Sequence, residues 1–460
     1  MDHRPDGAIE LSVVVPTYED AQCLELTLRS LARQSLAAER FEVIVVRDGG
    51  EADGYADIPD AGKGLNLHLV ELSEQRGRAA ARNEGVRHAT AGLLLFLDAD
   101  SYATPRLLER HLAHHRVAGR PAVLIGRRDE IGLEHIEAAL TGQETIPTPR
   151  RRADGGGDLR FPAGDPAGEE WLQAGWLFSF THNVSVSRAL FDEVGGFDER
   201  FGLRWGLEDI ELFYRVHRHL GLTERNFAYD DQAAAYHLPH HRNIDRNWGD
   251  FAANRNLVAD TYRVVEWEFF GMLEVYDSAE RIVHYRSAVA DCVRRSACRI
   301  GPAVEHLSSR LPGPRVLWVG TGSDQMALPA ETLTFDYAAP PSQTNFHLVG
   351  MDPPIAPGSL DAVVSVEFWR YLRWDDLCQF LNVAGRLADE IHLVSTGETL
   401  AAPFTPSPAN LGYLRRVLRV AFETELAEVD GVGTVLTLRP HRAPAQLAQA
   451  GMADTSTPTA

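Results

Sequence analysis

The feature that most restricts how this chain can fold is a run of five apolar residues, Leu93 to Leu97, that ends abruptly in Asp98-Ala99-Asp100. A run so short and so uniformly apolar fits a strand buried on both faces, as the interior of a parallel sheet requires. The small-residue stretch before it, Arg78 to His88, reads as the helix that delivers the chain to this strand. Open α/β sheets bind ligands beyond the carboxyl ends of their strands, which is where both aspartates fall. Alternate residues of an extended segment point the same way, so Asp98 and Asp100 suit one hard cation bound through oxygen. Aspartate is also a common turn residue, so the pair needs partners elsewhere in the chain.

Upstream the same grammar repeats. Leu11 to Val15 followed by Pro16-Thr17-Tyr18 reads as a buried strand and its exit loop. Glu19 to Gln34 carries Leu24, Leu28 and Leu31 at amphipathic-helix spacing. Phe41 to Val46 is a second strand ending in the turn signal Arg47-Asp48-Gly49-Gly50, and Leu67 to Leu72 is a third. Strand and helix alternate at βαβ spacing, so the first hundred residues predict a parallel-sheet, nucleotide-binding half. Turns and acids at the ends of successive strands then converge on one sheet edge.

Charge narrows the classes of partner. With 45 Lys+Arg against 65 Asp+Glu the formal charge is −20, which excludes a general nucleic-acid role, since phosphate backbones need a basic footprint. No apolar run reaches bilayer length and the first residues lack a signal-peptide core, which predicts a cytoplasmic protein without a transmembrane segment. The four cysteines, Cys23, Cys292, Cys298 and Cys378, have no zinc or redox-motif spacing and read as free thiols.

VVVPTYED, VVRDGG and RGRAAARNEGVRHATAGLLLFLDAD together resemble the successive signatures of family-2 glycosyltransferases with the GT-A fold. The resemblance implies an α/β, Rossmann-like mixed sheet and a nucleotide-diphosphate sugar donor. By position it places the donor nucleotide against Pro16, Thr17, Tyr18, Glu19, Asp48, Arg78, Arg82, Asp98 and Ala99. A carboxylate can accept the imide N–H of uracil or thymine, and arginine matches phosphate oxygens. Two positions depart from the family pattern: Glu19 stands where asparagine is usual, and Arg47 replaces the first acid of the usual D-D-G-S.

A second constellation lies between Trp171 and Leu222. WLFSFTHNVSVSRALFDEVGGFDERF and then LRWGLEDIELFYRVHRHLG resemble the acceptor side of family-2, chondroitin-polymerase and galactosyltransferase enzymes. The resemblance assigns Asp209 as general base and Glu208 to acceptor hydroxyls, with Asn183, Trp205 and Gly206 on the acceptor side. Both acids also suit the first turn of a helix as simple dipole partners, and Trp205 also suits a core. Downstream, in AAAYHLPHHRN, His237 holds the position of a third protein ligand beside Asp98 and Asp100, with His240 and His241 as rivals. The implied cation is Mn2+ or Mg2+, and an imidazole ligand favours manganese.

The resemblance to the glycosyltransferase spans residues 1–245. Residues 246–310 read as a helical connector whose aromatics, Trp248, Phe251, Tyr262, Trp267, Phe269 and Phe270, are expected to be core. The stretch from Gln143 to Glu169, rich in Gly, Pro and Arg, reads either as a lid shaping an acceptor site or as a mobile insertion. Residues 311–440 restart a strand–glycine turn–strand–acid pattern that resembles a reduced class I methyltransferase, with Gly320, Gly322 and Asp336 at the positions that would meet S-adenosylmethionine. The spacing there is too short for a full set of helices, so this smaller Rossmann-like domain is expected to be degenerate and S-adenosylmethionine unlikely as a cofactor. Residues 441–460 read as a disordered tail.

The expected function is a metal-dependent, inverting hexosyl- or N-acetylhexosaminyltransferase. A UDP-sugar is favoured as donor, with a dTDP-sugar as competitor. The acceptor is left open among a saccharide, a natural product and a peptide, and a homo-oligomer is left open too. The alternatives are a bifunctional glycosyltransferase/methyltransferase and a non-catalytic sugar-nucleotide-binding scaffold.

Overall fold

The structure, a computed structural model, describes residues 8–133, 136–141, 158, 160, 173–222, 224–241, 243–270, 275–397 and 411–441. The Gln143–Glu169 stretch therefore lies outside the described residues except for Asp158 and Arg160, and so does the expected tail beyond His441. The chain divides into two compact units, Met1–Val258 with Phe270–Val283 and Ala259–Phe269 with His284–Ala460.

The first unit is built on an eight-stranded sheet in the order β3-β2-β1-β4-β7-β6-β8-β5. Its strands are β1 (Leu11–Thr17), β2 (Phe41–Arg47), β3 (Leu67–Glu71), β4 (Leu93–Leu97), β5 (Ser101–Ala103), β6 (Val123–Glu130), β7 (Asn183–Ser187) and β8 (Phe227–His237). The β3-β2-β1-β4 half is parallel, and β7 turns the sheet antiparallel. The helix Arg78–His88 and strand β4 fall where the apolar pattern predicted them. All five residues of β4 are buried, as a strand covered on both faces demands. Leu24, Leu28 and Leu31 of the helix Ala21–Leu31 pack against Val13, Val15 and Leu95, one side of the core. Ala81 of the helix Arg78–His88 closes the other side against Ile44 and Val46. The small residues of that helix are needed: a Cβ on Gly85 would lie 2.5 Å from the Val14 side chain.

The second unit carries a six-stranded sheet, β10-β9-β11-β12-β14-β13. Strands β9 (Val316–Val319), β10 (Leu333–Phe335), β11 (Ala362–Val366) and β12 (Glu390–Ser395) are parallel. The hairpin β13 (Phe422–Val429) and β14 (Gly433–Pro440) joins β12 antiparallel. The glycine turn after β9 and the acid after β10 are present, but both are engaged within the unit. Asp336 is fully buried and accepts from Ser323 N (2.6 Å), Ser323 Oγ (2.7 Å) and Ala338 N (2.8 Å). A Cβ on Gly320 would lie 2.3 Å from the Cys298 carbonyl oxygen, so this close approach is to the chain itself.

Two expectations need correction. Cys292 and Cys298 are not free thiols: they are joined in a disulfide with a Cα–Cα distance of 6.2 Å, closing a turn after the helix Val275–Arg294. A spacing of six residues outside any known motif gave no sign of it. Trp248 is not core, being 64% exposed on the helix Ile244–Tyr262, whereas Trp267, Phe269 and Phe270 are buried as expected.

Candidate active site

Strands β1, β2 and β4 are parallel neighbours in register, so the residues that follow them reach one sheet edge. Thr17 pairs with Arg47 across β1 and β2, and Asp48 N donates to the Thr17 carbonyl at 2.9 Å. The Asp48 carboxylate is buried and accepts from Arg76 N at 2.7 Å and from Gly77 N at 2.8 Å. It thereby fixes the turn that starts the helix Arg78–His88. Gly77 must be glycine there: its φ is +94°, and a Cβ would fall 1.9 Å from the Gly202 carbonyl oxygen. Thr17 Oγ1 shares a hydrogen bond of 2.9 Å with the hydroxyl of Tyr55, a residue the motifs did not single out. Tyr18, Glu19 and Arg78 are exposed at this edge and Pro16 is half-buried. Ala99 is buried, its carbonyl accepting from Thr27 Oγ1 at 2.6 Å.

Arg82 lies deeper than its expected phosphate-binding role suggests. It is 2% exposed, donates to Glu208 Oε1 at 2.7 Å and to Asp98 Oδ1 at 3.0 Å, and lies 5.5 Å from the centre of the Phe197 ring. Burial works against its charge, but Asp98, Glu208 and Asp209 outweigh that and hold the guanidinium firmly protonated. One buried cation thus joins the acid after β4 to Glu208, 126 residues beyond Arg82 itself. Arg82 Nε and Glu208 Oε2 are buried with no hydrogen-bond partner among the described residues. Glu208 therefore keeps one acceptor oxygen in reserve.

Glu208 and Asp209 open the helix Glu208–Leu220, as expected. The chain enters it through a left-handed turn, Gly206 at φ +90° and Leu207 at φ +74°. Left-handed backbone costs about 1 kcal/mol or more at a residue such as leucine. The buried amide of Asn254 helps hold the turn, donating to the Gly206 carbonyl at 2.7 Å. Asp209 accepts from Ile210 N at 2.8 Å and Thr181 N at 3.2 Å. Burial pushes its carboxyl up to about 7, the Glu208 charge adds to this, and Arg82 with the two N–H donors opposes it. A carboxyl with its pKa near neutrality is matched to general-base work.

Trp205, directly before this turn, is 39% exposed, with its backbone N–H donating to Asp250 Oδ2 at 3.2 Å. Its ring centre lies 6.4 Å from that of Phe251, against which Trp248 packs edge-on at 5.9 Å. Asn183, expected on the acceptor side, is fully buried and faces the sheet. Its amide donates to Ala233 O at 2.8 Å and Arg127 O at 3.2 Å, and its carbonyl oxygen meets His111 Nε2 at 2.8 Å. That placement corrects the expectation, because no polar atom of Asn183 is left for a ligand.

Asp100, His237 and His240 form a separate cluster whose candidate ligand atoms all lie within 4.8 Å of one another. Asp100 Oδ2 is 3.3 Å from His237 Nε2 and 3.1 Å from His240 Nδ1. Asp100 Oδ1 is buried with no hydrogen-bond partner among the described residues. Burial raises the Asp100 pKa, but the hydrogen bond and charge of His237, with that of His240, bring it below the usual carboxylate range. His237 shifts the other way, raised by Asp100 and Glu130 against burial. A carboxylate oxygen with two imidazole nitrogens, one oxygen otherwise unsatisfied, fits a divalent transition cation such as manganese better than magnesium. Asp98, expected as a ligand beside Asp100, is outside this cluster, its Oδ1 accepting from Arg82 at 3.0 Å. His240 does, and the Pro239-His240-His241 run two residues past β8 was the signal for it.

Comparison with known proteins adds three findings. Residues 12–170 match the family model described as glycosyl transferase family 2, and residues 178–241 match that of the N-terminal domain of galactosyltransferase. The chain is 35% identical over 258 residues to the validoxylamine A glucosyltransferase of Streptomyces hygroscopicus subsp. jinggangensis, covering 53% of this chain and 59% of that protein. It is 25% identical over 284 residues to the chondroitin synthase of Escherichia coli, covering 58% and 40% of the two. Among solved structures, S. aureus TarS 1-349 in complex with UDP-GlcNAc aligns over 60% of this chain and 71% of that one, at 19% identity and a TM-score of 0.42. The chain spans 59% and 55% of the length of the first two curated relatives.

Proposed function

We propose that this chain, whose amino-terminal unit carries a family-2 glycosyltransferase domain with the GT-A fold, moves a hexosyl group from a nucleoside-diphosphate donor to an acceptor hydroxyl with inversion. The observation that carries the reading is Asp209, a buried carboxyl raised to about 7, tied through Glu208 and Arg82 to the acid that follows β4. Asp209 takes the proton of the acceptor hydroxyl as its oxygen bonds to the anomeric carbon. The bond from that carbon to the phosphate oxygen breaks, and the nucleoside diphosphate leaves with the electron pair. Glu208 Oε2 is the oxygen available to a second acceptor hydroxyl, and Trp205 offers an apolar ring face to the acceptor sugar. Asp100, His237 and His240 are the residues that would hold a divalent cation. Such a cation neutralises charge developing on a diphosphate leaving group.

Donor recognition is assigned to Thr17, Tyr18 and Asp48 for the base, with Arg78 exposed nearby. UDP-sugars are favoured, and the glucosyltransferase relative makes a glucosyl donor the first to try. The carboxy-terminal unit is read as non-catalytic. The support for that is the engagement of Asp336 by Ser323 and Ala338 and the packing of Gly320 on Cys298.

No helix among the described residues is long and apolar enough to cross a membrane. UDP-glucose, UDP-N-acetylglucosamine and dTDP-glucose are each added with Mn2+ or with chelator, and thermal stabilisation and nucleoside-diphosphate release are followed. One donor is expected to stabilise the chain by mass action and to be turned over only with metal. No stabilisation and no release with any of them sinks the reading. Full activity in Asp100→Ala or Asp209→Asn sinks the residue assignments.

A further inference from the structure

We propose that Glu130, braced by Arg128, is the positioning residue of the cation site, holding His237 in the tautomer that turns Nε2 toward the metal. The inference rests on the reading of Asp100, His237 and His240 as cation ligands. Glu130 Oε2 lies 3.0 Å from His237 Nδ1, while His237 Nε2 faces Asp100 Oδ2 at 3.3 Å. The other Glu130 oxygen accepts from Arg128 Nε at 3.0 Å and from an Arg128 terminal nitrogen at 2.7 Å. An ionised carboxylate can only accept, so Nδ1 carries the proton that faces Glu130. Nε2, which faces the Asp100 carboxylate, is then the nitrogen that would give up its proton to meet a cation, and the more polarised ring is a more basic ligand.

This contact depends on an irregularity of the sheet. Strands β6 and β8 run parallel with Gly126 opposite Asp230, and the register then shifts so that Arg127 faces Ala234 and Glu130 faces His237. Continued without the shift, the pairing would set Glu130 against Ala234, three residues short of the histidine. Asn183 stitches the irregularity through Ala233 O and Arg127 O. Gly126 has no room for a side chain there, since a Cβ would lie 2.2 Å from the Asn183 amide nitrogen and 2.3 Å from Ala233 O. The asparagine that offers nothing to an acceptor thus maintains the register that brings Glu130 to the histidine.

The test is binding of Mn2+ to the full chain, without and with uridine diphosphate, read from the electron paramagnetic resonance signal of free Mn2+. Glu130→Ala is expected to weaken Mn2+ binding about 10- to 100-fold, the usual effect of losing an outer-shell partner. Glu130→Gln keeps an oxygen acceptor for Nδ1–H, and it should recover most of that loss with an unchanged melting temperature. In a His237→Ala background Glu130→Ala should cost nothing further, a result that a merely structural role would not produce. Wild-type affinity in Glu130→Ala, or an equal loss with and without His237, overturns the proposal while leaving the cation site standing. Wild-type affinity in both Asp100→Ala and His237→Ala overturns the cation site itself, and this inference with it.

Discussion

At Asp209 the fold bears a stability cost for the same reason the residue suits catalysis, and Asp209→Asn separates the two. The folded chain holds this proton up to about pH 7, chiefly because burial disfavours the carboxylate, whereas the unfolded chain releases it near 3.8. Between those values the native state binds a proton that the unfolded state has given up, so stability falls as pH rises through the window. At about 1.4 kcal/mol per pH unit the cost grows from about 2 kcal/mol at pH 5 to about 4 kcal/mol at pH 8. Asparagine has nearly the same shape and cannot ionise. One of the two N–H donors, Ile210 N or Thr181 N, then faces an amide NH2 in place of an oxygen, at a cost of about 1–3 kcal/mol that does not vary with pH.

The stability difference between Asp209→Asn and the parent is therefore expected to move by about 2–3 kcal/mol in favour of the variant from pH 5 to pH 8. At about 2–4 °C per kcal/mol for units of roughly this size, that is a relative gain in melting temperature of about 4–12 °C. Differential scanning at the two pH values reads it directly. Over the same range kcat/KM of the parent should rise through about pH 7 as the base ionises, and the variant should lose about 10²- to 10⁴-fold in turnover. A stability difference that does not change with pH would refute the argument, because it would mean that Asp209 is already ionised in the folded chain at pH 5. A kcat/KM profile flat from pH 6 to pH 8 would refute it as well.

Arg82→Ala leaves Asp98 and Glu208 as uncompensated buried or half-buried acids and should cost about 3–5 kcal/mol, measured by denaturant unfolding. A loss below 1 kcal/mol would show that the bridge carries little. Gly77→Ala places a methyl group 1.9 Å from the Gly202 oxygen at a φ of +94°. It should lower the melting temperature and weaken donor binding together, by releasing the N–H groups that Asp48 holds, and unchanged donor affinity would count against that link. His111 is fully buried between Ser185 and Asn183, and burial lowers its pKa to about 4. Its contribution is complete above about pH 6.5 and is lost as pH falls toward 4, by about 3 kcal/mol. His111→Gln should therefore make the acid limb of the stability profile shallower, and an unchanged limb would exclude His111 as its cause.

Much of the fold was readable along the chain. The helix Arg78–His88 and the strand Leu93–Leu97 fall where residue pattern alone predicts them, because burial on one or both faces imposes a period that short windows reveal. Strand ends were less legible: β6 runs on to Glu130, well past its apolar residues Val123, Leu124 and Ile125. Its polar second half is paired rather than packed, and pairing leaves no apolar trace in the sequence. The disulfide and the exposure of Trp248 were hidden for a related reason, since each depends on what the fold brings alongside it.

The amino-acid sequence by itself determined the alternating framework, the sheet edge where Thr17, Asp48, Asp98 and Asp100 collect, and the helix that begins with Glu208 and Asp209. Those features follow from local periodicity and from the rule that strands of a parallel sheet end on one side. Only the tertiary structure decided the partners. Arg82 and Glu208 are 126 residues apart, and their pairing ties the helix that begins with Glu208 to Asp98 through one buried guanidinium. The shifted register of β6 on β8 set Glu130 against His237, and the turn after β8 added His240. Charges choose among partners by distance and by burial, and neither is defined until the chain has closed on itself.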